Sequence, residues 1–176
     1  MKEELKPMLA ATFSGQDVSG WMMQEKFDGI RAVWDGETLW TREGHSIEAP
    51  AWWLASLPAG IALDGELRAG RGGFSRVLSV YRRASATDGE RRGLFFVAFD
   101  APLHPGAYSE RRAFIGTVGV DCAATFDCPC TEQAVEFMRC VVADGGEGIV
   151  LRDPAARYAA GRRSRSILKM KPGEGA

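Results

Sequence analysis

The sequence has no apolar run approaching the ~18 residues of a membrane-spanning helix, which excludes a transmembrane protein. Its N-terminus carries two acids and a Lys-Pro pair, so no signal peptide is expected unless one has already been removed. The four cysteines lack the paired spacing of a zinc site. We interpret them as mostly buried thiols, with a disulfide among Cys122, Cys128 and Cys130 as the alternative in an exported protein.

Neither sign of charge dominates, because 22 basic residues face 23 acidic ones and the net charge is −1. Two segments nevertheless are basic. Residues 66–83 contain five arginines and one acid, a local charge of +4, and residues 148–176 contain seven basic residues and two acids, a local charge of +5. This distribution indicates either two solvated surfaces or one face that binds phosphate groups.

Apolar alternation and turn dipeptides predict a single α+β domain with mostly antiparallel sheets and flanking helices. Strands are predicted around Asp28-Gly29 and Asp35-Gly36, the second pair forming a tight hairpin turn, and later at GELR, FFVAFD, GIVLR and ILKMK. Helices are predicted behind Pro50, over FSRVLSVYRR, from a Ser109 cap, and from a Thr131 cap to Gly145.

Five polar clusters interrupt strands that otherwise are typical of a core: KFDGIR (26–31), TREG (41–44), DGE (64–66), EGIVLR (147–152) and KMK (169–171). Cations can hold phosphate oxygens, carboxylates can hold a hard metal ion, and glycines let the backbone approach a ligand. Each cluster alone is weak evidence, but their joint presence in this order favours phosphoryl-transfer chemistry.

With these clusters the sequence resembles the covalent nucleotidyltransferases: ATP-dependent DNA ligases, RNA ligases and mRNA-capping guanylyltransferases. The signature K-x-D-G-x-R is matched by KFDGIR, and the further motifs LDGE, FVAFD, EGIVLR and KMK follow in the family order across residues 26–171. The surrounding residues are most similar to minimal bacterial and phage DNA ligases. The resemblance implies the nucleotidyltransferase (ATP-grasp-like) adenylation fold over residues 1–176.

The resemblance implies that Lys26 is the nucleophile, which attacks the α-phosphate of ATP and leaves a lysyl–AMP and pyrophosphate. A free lysine has a pKa near ~10.4 and is mostly protonated at neutral pH. We therefore expect neighbouring cations to destabilise its ammonium form, namely Arg31, Lys169, Lys171 and a bound Mg²⁺ ion.

The resemblance also implies roles for the other motif residues. Phe99 stacks on the adenine, Glu66 accepts a hydrogen bond from a ribose hydroxyl, and Arg31 holds the ribose-phosphate. Asp28 and Glu147 bind Mg²⁺ or Mn²⁺. The remaining implied nucleotide contacts are Gln24 and Glu25 near the adenine, Gly29, Arg42, Lys169 and Lys171.

In the two later steps of a ligase, AMP passes to the 5′-phosphate of a nicked duplex DNA and the 3′-hydroxyl then displaces it. Basic side chains are expected to hold the duplex backbone. The residues we assign to DNA binding are Arg42, Arg68, Arg71, Arg76, Arg162, Arg163 and Arg165.

The OB-fold domain that follows the K-x-K strand in this family is expected to be absent, which places self-adenylation from ATP in question. The alternatives are an RNA ligase, a capping-type enzyme, or a nucleic-acid-binding remnant without catalysis. The enzyme is expected to be a monomer in the cytoplasm that acts in DNA repair, replication or recombination, with the periplasm as the alternative location.

Overall fold

A computed structural model describes residues 1–83 and 85–173, so the last three residues of the predicted domain lie outside the described residues. The described residues form ten strands and five α-helices. The strands are β1 (Leu9–Thr12), β2 (Trp21–Glu25), β3 (Ile30–Trp34), β4 (Leu39–Thr41), β5 (Ser46–Ile47), β6 (Leu63–Arg68), β7 (Phe95–Asp100), β8 (Phe126–Cys128), β9 (Ile149–Arg152) and β10 (Arg163–Met170). The helices are α1 (Ala51–Leu54), α2 (Phe74–Arg82), α3 (Asp88–Arg91), α4 (Tyr108–Ile115) and α5 (Thr131–Ala143).

The strands form two five-stranded sheets. Sheet A has the order β1-β10-β9-β2-β8, and sheet B has the order β5-β4-β3-β6-β7. All pairings between neighbouring strands are antiparallel except β1 with β10, which is parallel. The predicted α+β fold with mostly antiparallel sheets is confirmed. None of the helices in the described part has the length and apolar character that crossing a membrane requires.

Alternation along the strands of sheet A separates a core face from a polar face. Met23, Ile149, Leu151 and Leu168 belong to one buried apolar cluster, together with Val141 of α5. Because successive side chains of a strand point to opposite faces, their neighbours Gln24, Val150, Arg152 and Lys169 share the other face. The pairings Gln24 with Val150 and Val150 with Lys169 align three of them across the sheet.

The two predicted Asp-Gly turns have different roles. Asp35-Gly36 joins β3 to β4 as the predicted hairpin, with Trp34 opposite Leu39. Asp28-Gly29 instead lies where the chain passes from β2 in sheet A to β3 in sheet B. A Cβ at Gly29 would collide with the backbone carbonyl oxygen of Leu67 in β6, so only glycine permits this close crossing.

Several sequence expectations need correction. Helix α4 begins at Tyr108, and Glu110 accepts the backbone N–H of Ala107, so Ser109 is not its cap. Helix α5 begins at Thr131, whose hydroxyl accepts the Val18 N–H rather than capping the helix. The sequence interpretation also missed the short elements β1, β5, β8 and α3.

The cysteines also differ from the expectation. Only Cys128 is buried, Cys122 and Cys130 are half-buried, and Cys140 is exposed. All four are free thiols, so no pair among Cys122, Cys128 and Cys130 forms the disulfide that was considered. The prediction of mostly buried thiols is therefore wrong, because only one of the four side chains, Cys128, is buried inside an apolar cluster.

Candidate active site

A cavity opens between the polar face of sheet A and sheet B. Sheet A and the chain crossing contribute Gln24 and Lys26 to its wall, and sheet B contributes Arg31, Glu66 and Phe99. The two sheets therefore bring together motif residues that are separated by more than a hundred positions in sequence. The other residues lining the cavity are Met8, Ala10, Glu25, Phe27, Ala123, Val150, Arg152, Ile167 and Lys169.

Two lysines share one carboxylate at this site. The Lys26 Nζ lies 2.6 Å from Glu147 Oε2, and the Lys171 Nζ donates to Glu147 Oε1. Burial alone would raise the pKa of Glu147, but the hydrogen bonds from Lys171 and Lys26 outweigh it, and that pKa lies below its ordinary value. Glu147 is therefore an anion that holds the predicted nucleophile beside a second cation.

Glu147 is placed by the backbone of the next residue. Gly148 has a φ of +144°, and a Cβ there would collide with the Met170 carbonyl oxygen. Its own carbonyl accepts the backbone N–H of Lys26 at 2.8 Å. The EG pair of EGIVLR thus fixes both the side chain and the main chain of the predicted nucleophile.

Arg31 is held rigidly on β3. Its guanidinium makes two 2.6 Å hydrogen bonds to Asp64, whose side chain is fully buried, and a third of 3.2 Å to the Met8 carbonyl. The Tyr158 hydroxyl donates to Asp64 at 2.7 Å and accepts the Met8 N–H at 3.1 Å. Burial and then the charge of Asp64 raise the pKa of Tyr158 well above its ordinary value, so this hydroxyl stays protonated and keeps donating.

Glu66 lies opposite Arg31 across the β3–β6 pairing and lines the cavity. Burial raises the pKa of Glu66 to about 7, although the charges of Arg31 and Lys26 act in the opposite direction. A substantial fraction of Glu66 is therefore protonated at neutral pH, and its carboxyl can both accept and donate a hydrogen bond there.

The raised pKa of Glu66 predicts a specific pH dependence of stability. The pKa of this side chain is ~4.3 in the unfolded state and about 7 in the folded state, so between these pH values the folded state binds more protons. Stability is therefore expected to fall as pH rises through this window. We expect the wild type to lose unfolding free energy relative to Glu66→Gln between pH 5 and 8 in urea titrations; parallel curves would contradict the assignment.

The amide of Gln24, which is 2% exposed, is hydrogen-bonded at both ends. Its Nε2 donates to the Thr125 hydroxyl at 2.8 Å, and its Oε1 accepts Arg152 Nε at 3.1 Å. Arg152 also donates to Asp100, which in turn accepts Arg111 Nε at 2.6 Å. A buried polar network therefore includes two residues of the cavity wall, Gln24 and Arg152, and extends from them into the interior.

Phe99 presents its ring beside two guanidinium groups. The Arg31 Cζ lies 4.5 Å and the Arg152 Cζ 5.0 Å from the ring centroid. Phe99 is 7% exposed and lines the cavity, and its stacking on adenine stays a prediction.

Other predicted residues are placed differently. Glu25 lines the cavity, but both of its carboxylate oxygens accept hydrogen bonds from Arg71, at 2.9 and 3.0 Å. Arg71 does not line the cavity, so the Glu25 carboxylate is already paired with a residue outside it. Arg42 is exposed on the turn after β4 and pairs with Glu43. The predicted nucleotide- and metal-binding residues that are not among the described residues lining the cavity are Arg42, the half-buried Asp28, Gly29, Glu147 and Lys171; the last two reach it through Lys26.

The basic residues assigned to DNA fall on several surfaces. Arg68 stacks 4.2 Å from the Phe27 centroid, and Arg71 is tied to Glu25 and Asp144. Arg76 is exposed on α2. Arg162, Arg163 and Arg165 are exposed at the start of β10 and just before it, and Arg163 donates to the Ala10 carbonyl.

The donor set fits a magnesium ion only together with phosphate oxygens. Within residues 1–83 and 85–173, no three His, Cys, Asp or Glu side chains cluster as metal ligands. Mg²⁺ is commonly held by one or two carboxylates plus substrate phosphates and water, which needs no such cluster. The ionised Glu147 satisfies that requirement, although both of its oxygens now accept lysine ammonium groups.

The sequence interpretation missed the supports behind the site. Asp64 and Arg152 lie inside the recognised motifs LDGE and EGIVLR, but the sequence interpretation gives them no role. A charged residue within an otherwise apolar strand is a signal that could have identified both. Tyr158, Thr125 and Met8 carry no motif signal, because only the tertiary fold brings them to Arg31 and Gln24.

Comparisons with known proteins agree with this geometry. A family model described as ATP dependent DNA ligase domain matches residues 7–171. A DNA ligase of Haemophilus influenzae is 32% identical over 175 residues, which cover 96% of this chain but only 64% of that protein. A probable DNA ligase of Streptomyces griseus is 30% identical and is covered to 35%, so the chain spans less than two-thirds of either relative.

Solved structures confirm the fold. A Lig E DNA ligase studied for DNA binding with a minimal scaffold superposes with a TM-score of 0.82 at 29% identity, covering 94% of this chain and 68% of that one. The Chlorella virus DNA ligase-adenylate superposes with a TM-score of 0.76 at 22% identity, covering 94% and 67%. The motif order, the site and these comparisons together show that the chain belongs to the ATP-dependent DNA ligase domain family.

Proposed function

We propose that the chain is the adenylation domain of an ATP-dependent DNA ligase, in which Lys26 forms a covalent lysyl–AMP and passes the AMP to the 5′-phosphate of a DNA nick. The observation that carries this proposal is the pair of Lys26 and Lys171 on one Glu147 carboxylate, at a cavity lined by Phe99 and Glu66. A lysine in such a position can act as a nucleophile toward a group bound between the two sheets.

In the first step the unprotonated Lys26 amine attacks the α-phosphorus of ATP. The N–P bond forms, the P–O bond to pyrophosphate breaks, and the amine gives up a proton. Lys169, Lys171 and Arg31 supply positive charge for the phosphate oxygens as negative charge moves onto the leaving group. Because Glu147 holds Lys171 beside Lys26, binding of phosphate oxygens exchanges the anionic partner of Lys171, and Lys26 is left to react as an amine.

The rest of the cavity fits the nucleoside. Phe99 offers an apolar ring for the adenine, and Gln24 offers an amide for its edge. Glu66 can accept a hydrogen bond from a ribose hydroxyl. Gly29, at the crossing between the sheets, keeps the backbone free of a side chain near Glu66. A nucleotide bound here would contact both sheets at once.

Glu147 is the carboxylate that would hold a Mg²⁺ or Mn²⁺ ion carried by the triphosphate, and Asp28 is its proposed companion at the crossing. When bound, the ion supplies positive charge that neutralises the phosphate oxygens. Arg31 and Lys169 contribute charge of the same sign from the protein itself.

In the later steps AMP moves from Lys26 to the 5′-phosphate of nicked duplex DNA, and the 3′-hydroxyl then attacks that phosphate and releases AMP. Exposed arginines hold the duplex by its phosphates without reading sequence. We infer a monomeric enzyme of the cytoplasm, where such nicks arise in repair, replication and recombination. The proposed DNA contacts are Arg42, Arg68, Arg71, Arg76, Arg162, Arg163 and Arg165.

Intact-mass spectrometry of the full chain tests the proposal. After incubation with Mg²⁺ and ATP we expect a gain of one adenylyl group, which GTP does not replace by a guanylyl group, on the peptide that contains Lys26. A separate sample of the chain, given Mg²⁺ but no ATP, receives a nicked duplex with an already adenylated 5′-phosphate, which it should seal. An adduct on another lysine, or failure of both reactions, would contradict the proposal.

A further inference from the structure

The cavity wall contains a side-chain amide whose orientation is fixed from both ends. A glutamine amide can in principle be reversed by rotation, which exchanges its oxygen and its NH₂ group. The partners of Gln24 allow only one of the two orientations.

At one end stands Arg152, which has donors and no acceptor. Its Nε donates to the Gln24 Oε1 at 3.1 Å, and its Nη1 donates to Asp100 at 3.2 Å. Arg152 is 4% exposed, and Asp100 is itself held by Arg111, so the guanidinium cannot turn away. A reversed amide would place its NH₂ group against this guanidinium, two donors facing each other in a buried site.

At the other end stands the Thr125 hydroxyl. Its proton is donated to the Ala123 carbonyl at 3.1 Å, and it accepts Arg112 Nε at 2.8 Å. The hydroxyl can therefore only accept a hydrogen bond from Gln24, and it accepts one from the Gln24 Nε2 at 2.8 Å. A reversed amide would place two acceptors against each other here, so both ends enforce the same orientation.

An amide of fixed orientation distinguishes purines. Its free edge presents an oxygen that accepts and, beside it, an N–H that donates. A 6-aminopurine offers the complementary pair, an amino donor beside a ring-nitrogen acceptor, as in glutamine pairing with adenine. A 6-oxopurine offers an oxo acceptor beside a protonated ring nitrogen, which matches only the reversed amide.

We propose that Thr125 and Arg152 are positioning residues that lock the amide of Gln24 and thereby select a 6-aminopurine over a 6-oxopurine nucleotide. This inference rests on the proposed binding of a nucleotide in this cavity. It assigns base selection to two residues that need not touch the base, and it requires neither of them to take part in the transfer of AMP.

Equilibrium binding of AMP and of IMP to the full chain tests the inference, because the two ligands differ only in the groups at and beside position 6. The wild type should prefer AMP. Thr125→Val removes the acceptor without changing the side-chain shape, and we expect it to reduce the AMP-to-IMP affinity ratio by about 10-fold or more, mainly through weaker AMP binding. Thr125→Ser, which keeps the hydroxyl, should have an AMP-to-IMP affinity ratio close to the wild-type value.

A matched control is Thr117→Val, because the Thr117 hydroxyl only donates to the Phe114 carbonyl on an exposed surface. It should leave the ratio unchanged. An unchanged ratio in Thr125→Val, or a wild type that does not prefer AMP, would overturn the inference. Because binding is measured without adduct formation, a wild type that prefers AMP but neither forms lysyl–AMP nor seals the adenylated nick would refute the proposed function while leaving this inference standing.

Discussion

Lys26→Arg is expected to form no nucleotide adduct at all, even after incubation long enough to label the wild type completely. A guanidinium keeps its proton at any pH at which the protein is folded, so it has no free electron pair to attack phosphorus. The substitution retains the positive charge, and the longer side chain can still reach Glu147, which accepts the lysine at 2.6 Å. Intact-mass spectrometry after incubation with Mg²⁺ and ATP measures the result.

The matched comparison is Lys171→Arg, on the other oxygen of the same carboxylate. This variant keeps the amine at position 26, so we expect the adduct to form, but more slowly, because phosphate contacts change. Neither variant should change the free energy of unfolding by more than about 1 kcal/mol, since charge is conserved in a half-exposed site. An adduct in Lys26→Arg would show that another residue is the nucleophile.

Asp100→Ala is expected to lower the free energy of unfolding by about 3–5 kcal/mol. Asp100 is fully buried and accepts hydrogen bonds from two arginines that are also buried, Arg111 at 2.6 Å and Arg152 at 3.2 Å. Removing the carboxylate leaves two guanidinium charges in the interior without their counter-ion. Urea denaturation at neutral pH measures the effect as a lower midpoint with an unchanged slope.

The control for Asp100→Ala is Glu136→Ala, which removes a carboxylate from the surface of α5. Its partners are Arg139 at 3.6 Å and the Sγ of the exposed Cys140 at 3.9 Å, and the Glu136 and Arg139 side chains are about two-thirds exposed. Solvent and salt screen such a pair, so the expected change is below about 1 kcal/mol. If Asp100→Ala unfolds at the same urea concentration as Glu136→Ala, the buried ionic network does not stabilise the fold as described.

The sequence motifs identified residues of the site, but they did not show how those residues are arranged in three dimensions. The residues Lys26, Glu66, Phe99 and Lys169 were predicted together because the family keeps their order, and the structure places all four around one cavity. What the pattern did not contain was the passage between sheets at Asp28-Gly29, since an Asp-Gly pair between two strands equally describes a hairpin.

The supports of the site could not be predicted because they depend on long-range packing. Tyr158 reaches Asp64 across 94 positions and the Met8 N–H across 150, and no local pattern marks it. For the arginines assigned to DNA binding, the sequence pattern instead predicted more free positive charge than the fold leaves available. Arg71 contributes to the local positive charge in sequence, but its hydrogen bonds to Glu25 reduce the charge it offers to a phosphate.

The parallel pairing of β1 with β10 has a consequence for how the protein is made. The first strand pairs with the last, and the Lys26–Glu147 pair joins residues 121 positions apart. During synthesis on a ribosome, the early strands therefore leave the exit tunnel long before their partners exist. Contacts of such sequence separation make folding slow, because a long loop must close before they form. The cavity between the two sheets is then assembled only after β10 has emerged, and until that moment the edge of β1 that pairs with β10 remains exposed to other unfolded chains.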